Sequence, residues 1–172
     1  MKTLILGGAR SGKSALAEKL ARGGGREVVY IATAEACDEE MRARIAHHRA
    51  RRPAGWSCVE EPLALAATLA AHARAERVLL VDCLTLWLSN LLHAGDARFE
   101  SEREALLDAL PTLPGEILLV ANEVGLGVVP MGELSRHFVD EAGRLNQSIA
   151  AVAERVLLVA AGLPLALKGE VP

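Results

Sequence analysis

Gly7-Gly8-Ala9-Arg10-Ser11-Gly12-Lys13-Ser14 follows directly on the apolar run Thr3-Leu4-Ile5-Leu6 and leads into a segment of helical spacing, Ser14 to Arg22. It fits G-x-x-x-x-G-K-[ST] in the strand-then-helix context that gives the pattern its meaning. The glycines let backbone N–H groups turn inward around phosphate oxygens, and the helix behind them adds the positive end of its dipole. Lys13 would reach the outer phosphates of a nucleoside triphosphate, and the Ser14 hydroxyl would bind Mg²⁺. The competing reading is a plain glycine-rich turn with a helix-capping serine.

Outward from this loop, apolar runs bounded by turn residues recur at Val28–Ile31, Val78–Val81, Ile117–Val120 and Val156–Val159. Their continuous hydrophobicity predicts strands buried on both faces. Segments of helical spacing alternate with them, at Glu39–Arg52, Leu63–Arg74, Glu100–Leu110 and Leu134–Ala153. The expected fold is therefore α/β and P-loop NTPase-like: a mostly parallel central sheet with helices on both faces, as one nucleotide-binding domain over residues 1–172. Leu165–Leu167 would add a short edge strand after Pro164, and His93–Phe99 reads as an exposed loop. A helix over Leu84–Leu92, with Leu86, Trp87 and Leu91, suits either a buried core or an interface.

The chain has 172 residues, 51% of them hydrophobic and 24% charged, which favours one compact core over a disordered or fibrous chain. Aromatics are 3%, too few for a base-stacking surface, and 19 basic against 22 acidic residues leave a net charge of −3 with no general pull toward nucleic acid or anionic lipid. Cys37, Cys58 and Cys83 are far apart and form no C-x-x-C pair, so a reducing cytoplasmic setting is expected, without a zinc site or disulfide framework. The opening residues are broken too early by Gly7 and Gly8 for a signal peptide, and the apolar stretch near residues 78–92 contains Asp82, so no membrane segment is expected.

Asp82 closes the run Val78-Leu79-Leu80-Val81 and supplies the carboxylate expected at a strand tip beside a phosphate loop, where it can hold the metal; capping the next helix is the alternative role. No N-K-x-D guanine-reading motif is present, and the fourth strand runs instead into Asn122-Glu123-Val124-Gly125. That disfavours a regulatory GTPase and favours a group-transfer enzyme. Asn122 and Glu123 are either substrate or metal contacts at a strand end, or a hydrogen-bonded turn around Gly125 and Gly127.

On the helix expected over 39–52, Asp38 is the cap and Pro53 the stop. Glu40, Arg44, His47 and Arg51 share one stripe at three- and four-residue steps. Flanking arginines disfavour protonation of His47 and attract phosphate, which suits a nitrogen nucleophile toward phosphorus. A solvated polar face is the bland reading of the same stripe, and an RNA-contacting helix is a weaker one. His48 falls on the more apolar edge and suits packing.

Taken with Tyr30-Ile31-Ala32-Thr33, Arg44-Ile45-Ala46-His47-His48-Arg49, Arg52-Pro53, Trp56, Glu60-Glu61, Asn122-Glu123-Val124-Gly125 and Gly143-Arg144-Leu145-Asn146-Gln147, the phosphate loop resembles the bifunctional adenosylcobinamide kinase / adenosylcobinamide-phosphate guanylyltransferase family of cobalamin synthesis. The resemblance covers nearly the whole chain. It implies phosphorylation of adenosylcobinamide by ATP or GTP, then transfer of GMP from GTP to give adenosylcobinamide-GDP, with His47 carrying GMP covalently and Lys13 acting on the phosphates. Nucleotide contacts would fall on Gly7, Gly8, Ala9, Arg10, Ser11, Gly12, Lys13, Ser14, Thr33, Arg49, Arg52, Glu61 and Asp82, with Ser14 and Asp82 on Mg²⁺. The family commonly has Glu where this chain has Asp82. It also implies a homotrimer. A P-loop small-molecule kinase without the guanylyltransferase step is the alternative.

Overall fold

The computed structural model describes residues 1–35, 39 and 55–172. The helix expected over 39–52, with His47, Arg49 and Arg52, lies outside the described residues apart from Glu39. In chain order the described elements are β1 (Lys2–Gly7), α1 (Lys13–Gly23), β2 (Glu27–Ala32), β3 (Ser57–Glu60), α2 (Leu65–His72), β4 (Arg77–Asp82), α3 (Leu84–Ala94), α4 (Asp96–Ala109), β5 (Glu116–Asn122), α5 (Glu133–Val152), β6 (Arg155–Ala160) and β7 (Leu163–Lys168).

The strands form one sheet in the order β3-β2-β4-β5-β1-β6-β7. Neighbours pair in parallel except β7, which runs antiparallel to β6. β1 is buried along its whole length, as a parallel strand covered on both faces should be. Alternate residues serve two cores. Leu4, Leu6, Val29, Ile31, Leu79 and Val81 face α2, α3, α4 and α5, whereas Ile5, Val28, Tyr30, Leu80 and Val120 face Ala17 and Ala21 of α1. Helices thus lie on both faces, unevenly. The connection leaving β1 crosses toward β2, while the one between β5 and β6 passes to the other side of β1. The crevice beyond the tip of β1 is therefore where a ligand of such a sheet sits.

Two expectations need correction. His93–Phe99 is not an exposed loop: α3 continues to Ala94, Gly95 turns the chain at φ 102°, and α4 starts at once with Asp96 in its first turn. That carboxylate suits the positive helix end, and Phe99 is buried in the larger core. The strand β3 was not expected, because Ser57-Cys58-Val59-Glu60 carries one aliphatic residue and lies at the sheet edge, where little burial is required. The edge strand around Leu165–Leu167 is present and longer, and the α3 face with Trp87, Leu88 and Leu91 is fully buried core.

Candidate nucleotide site at the tip of the central strand

The loop between β1 and α1 is closed by its own backbone: Ser11 N donates to Gly8 O at 3.2 Å, and Gly162 N, from the turn after β6, donates to Ser11 O at 2.8 Å. Arg10 and Gly12 both take left-handed backbone conformations, φ 58° and 100°, the alternation that converges successive N–H groups on an anion. A Cβ on Gly7 would run into the Ser11 side chain and stand 2.6 Å from Val159 O, so only glycine fits there. Gly12 precedes α1 without a side-chain cap, and the first turn holds no acidic residue. The helix therefore presents free N–H groups and an unopposed dipole to the loop. Ser11 Oγ is buried and, among the described residues, has no hydrogen-bond partner, a cost that a bound phosphate oxygen would remove.

Lys13 opens α1 and is 8% exposed, with Nζ donating to Gly8 O at 3.0 Å. Burial pushes its ammonium below the usual lysine range, while Cys83 and the Asp82 carboxylate pull the other way. A cation held in this way, with further donors on the same nitrogen, is poised for polyanionic ligands. Ser14 follows it, half-buried in the first turn.

Asp82 ends β4 on the α1 side of the sheet. Its Oδ2 accepts a 2.9 Å hydrogen bond from the Tyr30 hydroxyl. α3 begins after Cys83, its N-cap, with no side-chain cap hydrogen bond, so Asp82 does not take the capping role. Burial, with the Asp82 charge beside it, pushes the Cys83 thiol up to about 11, so it stays protonated at neutral pH. Thr33 is fully buried: its hydroxyl donates to Cys83 O at 2.7 Å and accepts from Cys83 N at 3.0 Å. Glu61 receives the N–H groups of Leu63 and Ala64 on Oε1 at 2.9 and 2.7 Å, closing the entry to α2. Asn90, from α3, donates to both Thr33 O and Pro62 O at 2.8 and 3.2 Å. Thr33, Glu61 and Asn90 thus tie the ends of β2, β3 and β4 together.

On the other flank, Glu123 N donates to Gly7 O at 3.0 Å and Glu123 Oε1 accepts from Gly125 N at 2.6 Å. For Glu123 the turn-forming role is the one seen. Thr85 Oγ1 accepts from Asn122 N at 2.7 Å, fixing α3 to the tip of β5. Tyr30, Thr85 and Asn90 were not assigned roles from the sequence. For Tyr30 a signal existed: it is the one tyrosine of the chain, set in an aliphatic strand two residues from its end. A cavity of about 320 Å³ between α4 and α5 is lined by Asp96, Glu100 and Glu141 among others. It shares no residue with the phosphate loop.

Residues 3–167 match the family described as cobinamide kinase / cobinamide phosphate guanyltransferase. The chain is 66% identical over 171 residues to the bifunctional adenosylcobalamin biosynthesis protein CobP of Pseudomonas aeruginosa, covering 99% of each. It is 41% identical over 182 residues to the bifunctional adenosylcobalamin biosynthesis protein CobU of Escherichia coli K12, covering 98% of this chain and all of that one. Among solved structures, a protein of Pyrococcus horikoshii OT3 aligns with TM-score 0.57 at 8% identity over 98% of this chain and 86% of its own. The assembled ATPase EscN of enteropathogenic E. coli aligns with TM-score 0.56 at 15% identity over 92% and 41%. At these identities the structural likeness speaks for the fold alone.

Proposed function

From the chain's membership of the cobinamide kinase / cobinamide phosphate guanyltransferase family, we propose that the phosphate loop and the histidine-bearing stretch after β2 share its two reactions. The protein is a bifunctional enzyme of adenosylcobalamin biosynthesis, which phosphorylates adenosylcobinamide and transfers GMP to the resulting phosphate to give adenosylcobinamide-GDP. The observation that supports the placement best is the uncapped start of α1 with Lys13 buried beneath the loop and Asp82 beside it.

In the kinase step the substrate hydroxyl attacks the γ-phosphorus of ATP or GTP, loses its proton and releases the nucleoside diphosphate. Loop amides and Lys13 receive the charge that spreads over the transferring phosphoryl oxygens, the dominant contribution in such reactions. In the nucleotidyl step a His47 nitrogen forms a bond to the α-phosphorus of GTP and pyrophosphate leaves. An oxygen of adenosylcobinamide phosphate then displaces that nitrogen, giving the product and regenerating His47. Gly7 to Ser14, Thr33, Arg49, Arg52, Glu61 and Asp82 are the nucleotide contacts of this reading, with Thr33 and Glu61 held in place by the backbone bonds described above.

The Ser14 hydroxyl and Asp82 carboxylate are hard oxygen donors at the helix start and strand tip, a set that fits Mg²⁺. The chemistry that ion supplies when bound is neutralisation of charge on the phosphate oxygens. The proposed assembly is a cytoplasmic homotrimer of single-domain chains. The exposed apolar surface at Leu163, Leu165 and Leu167 on the edge strand β7 and at Val128, Val129 and Met131 before α5 supports contact between chains, and the number three comes from the family resemblance. Among the described residues no helix is long and apolar enough to cross a membrane.

Incubation with Mg²⁺ and GTP labelled at the α-phosphate, then denaturation, tests the histidine. Acid-labile label is expected in the wild type and in His48→Asn and absent from His47→Asn. Label surviving in His47→Asn would remove the nucleophile, and kinase turnover with no label in the wild type would leave a plain small-molecule kinase.

A further inference from the structure

The hydroxyl of Tyr30 is not explained by packing. Its ring is 3% exposed and lies in the α1-side core with Val28, Ala32 and Leu80, where phenylalanine would fill the same space. Tyr30 pairs with Leu80 and Ala32 with Asp82 in the β2–β4 register, so Tyr30 and Asp82 are diagonal neighbours on one face. That placement brings the hydroxyl to Asp82 Oδ2 at 2.9 Å. Among the described residues, Asp82 Oδ1 accepts no hydrogen bond.

A carboxylate turns readily about its terminal torsion, and here it has a cation for a neighbour. The Asp82 charge is felt by Lys13, yet Lys13 Nζ is hydrogen-bonded to Gly8 O. A carboxylate free to rotate could close on that ammonium and neutralise both groups. We propose that Tyr30 is a positioning residue, whose hydroxyl reserves Oδ2 of Asp82 and leaves Oδ1 as the oxygen offered to the nucleotide-bound divalent cation. Losing a partner of this kind behind a metal-holding carboxylate commonly costs about ten- to a hundredfold in metal affinity. The inference rests on the reading that Asp82 holds Mg²⁺.

The test uses Mn²⁺ as the probe, its binding to the full-length protein–GTP complex followed by electron paramagnetic resonance in wild type, Tyr30→Phe, Asp82→Asn and the double variant. Tyr30→Phe should weaken Mn²⁺ about tenfold and add nothing on the Asp82→Asn background. Wild-type Mn²⁺ affinity in Tyr30→Phe, with loss in Asp82→Asn, would overturn the role of Tyr30 alone. Wild-type affinity in Asp82→Asn would overturn the metal reading beneath it. A second measurement needs no substitution at position 30. Because the chain has one tyrosine, 3-fluorotyrosine labels Tyr30 alone, and its fluorine resonance in the GTP complex should move on adding Mg²⁺ and stay still in Asp82→Asn. A resonance that ignores Mg²⁺ in the wild type overturns the proposal.

Discussion

Thr33 and Cys83 exchange two hydrogen bonds across a separation of 50 positions, at 2.7 and 3.0 Å, joining the end of β2 to the first residue after β4. Thr33→Val keeps the volume and strands the buried Cys83 N–H, a group worth about 1–3 kcal/mol when unsatisfied, while Cys83 O still accepts from Trp87 N at 3.2 Å. A loss of about 2 kcal/mol is expected, a fall in Tm of roughly 4–8 °C for a chain of this size. Thr33→Ser keeps the hydroxyl and should lose about 1 kcal/mol with the methyl. Calorimetric melting of both variants measures the difference, and equal Tm values would show that the methyl matters and the bridge does not.

Gly7 and Gly143 should answer alanine in opposite directions. At Gly7 a Cβ would stand 2.6 Å from the Val159 carbonyl oxygen, which belongs to the sheet backbone and yields little. Gly7→Ala is expected to cost about 1–3 kcal/mol and to weaken nucleotide binding with it. Gly143 lies within α5 and a Cβ there meets nothing within 4 Å, so Gly143→Ala should stabilise by about 0.5–1 kcal/mol. Urea titration of the two variants decides both signs.

How much was readable in the sequence depended on how local each feature is. The phosphate loop and its strand and helix could be read at once, because the residues that set the backbone, Gly7, Gly12 and Lys13, lie within one turn of chain. The break at Gly95 was harder, since α3 and α4 meet there with no intervening loop for a composition shift to mark. The Tyr30–Asp82 bond could not be read at all, because it depends on the β2–β4 register and on which face each strand turns toward α1. Thr33 and Glu61 were placed by resemblance as nucleotide contacts. The bonds that hold them in place, from the Thr33 hydroxyl to the Cys83 backbone and from Leu63 N and Ala64 N to Glu61 Oε1, depend on tertiary structure that the sequence does not display.

Lys13 sets a pH dependence for nucleotide binding. Burial holds its pKa below the ordinary value in the free protein, with Cys83 and Asp82 opposing, and a bound triphosphate would raise it by favouring the charged form. Affinity should therefore be flat below the free-protein pKa and fall as pH rises through it, by at most about tenfold per unit for one proton. Binding in that alkaline window should take up a proton. Calorimetry in two buffers of different ionisation enthalpy would show the uptake in the wild type and none in Lys13→Met; proton release instead would mean the ammonium is not what meets the phosphates.

Glu61 separates a role in holding the backbone from a charge role. Its Oε1 accepts from Leu63 N and Ala64 N, and its Oε2 lies 3.4 Å from Thr68 Oγ1. Glutamine keeps a carbonyl oxygen able to accept both backbone N–H groups, whereas alanine removes the acceptor and leaves the entry to α2 open. Glu61→Ala should cost about 1 kcal/mol, the usual net worth of a hydrogen bond, and Glu61→Gln a few tenths. If Glu61 acts on the nucleotide only by shaping this entry, GTP affinity should follow the same order, near wild type in Glu61→Gln and weaker in Glu61→Ala. Equal loss of affinity in both variants, with stability intact in Glu61→Gln, would show that its charge touches the nucleotide directly.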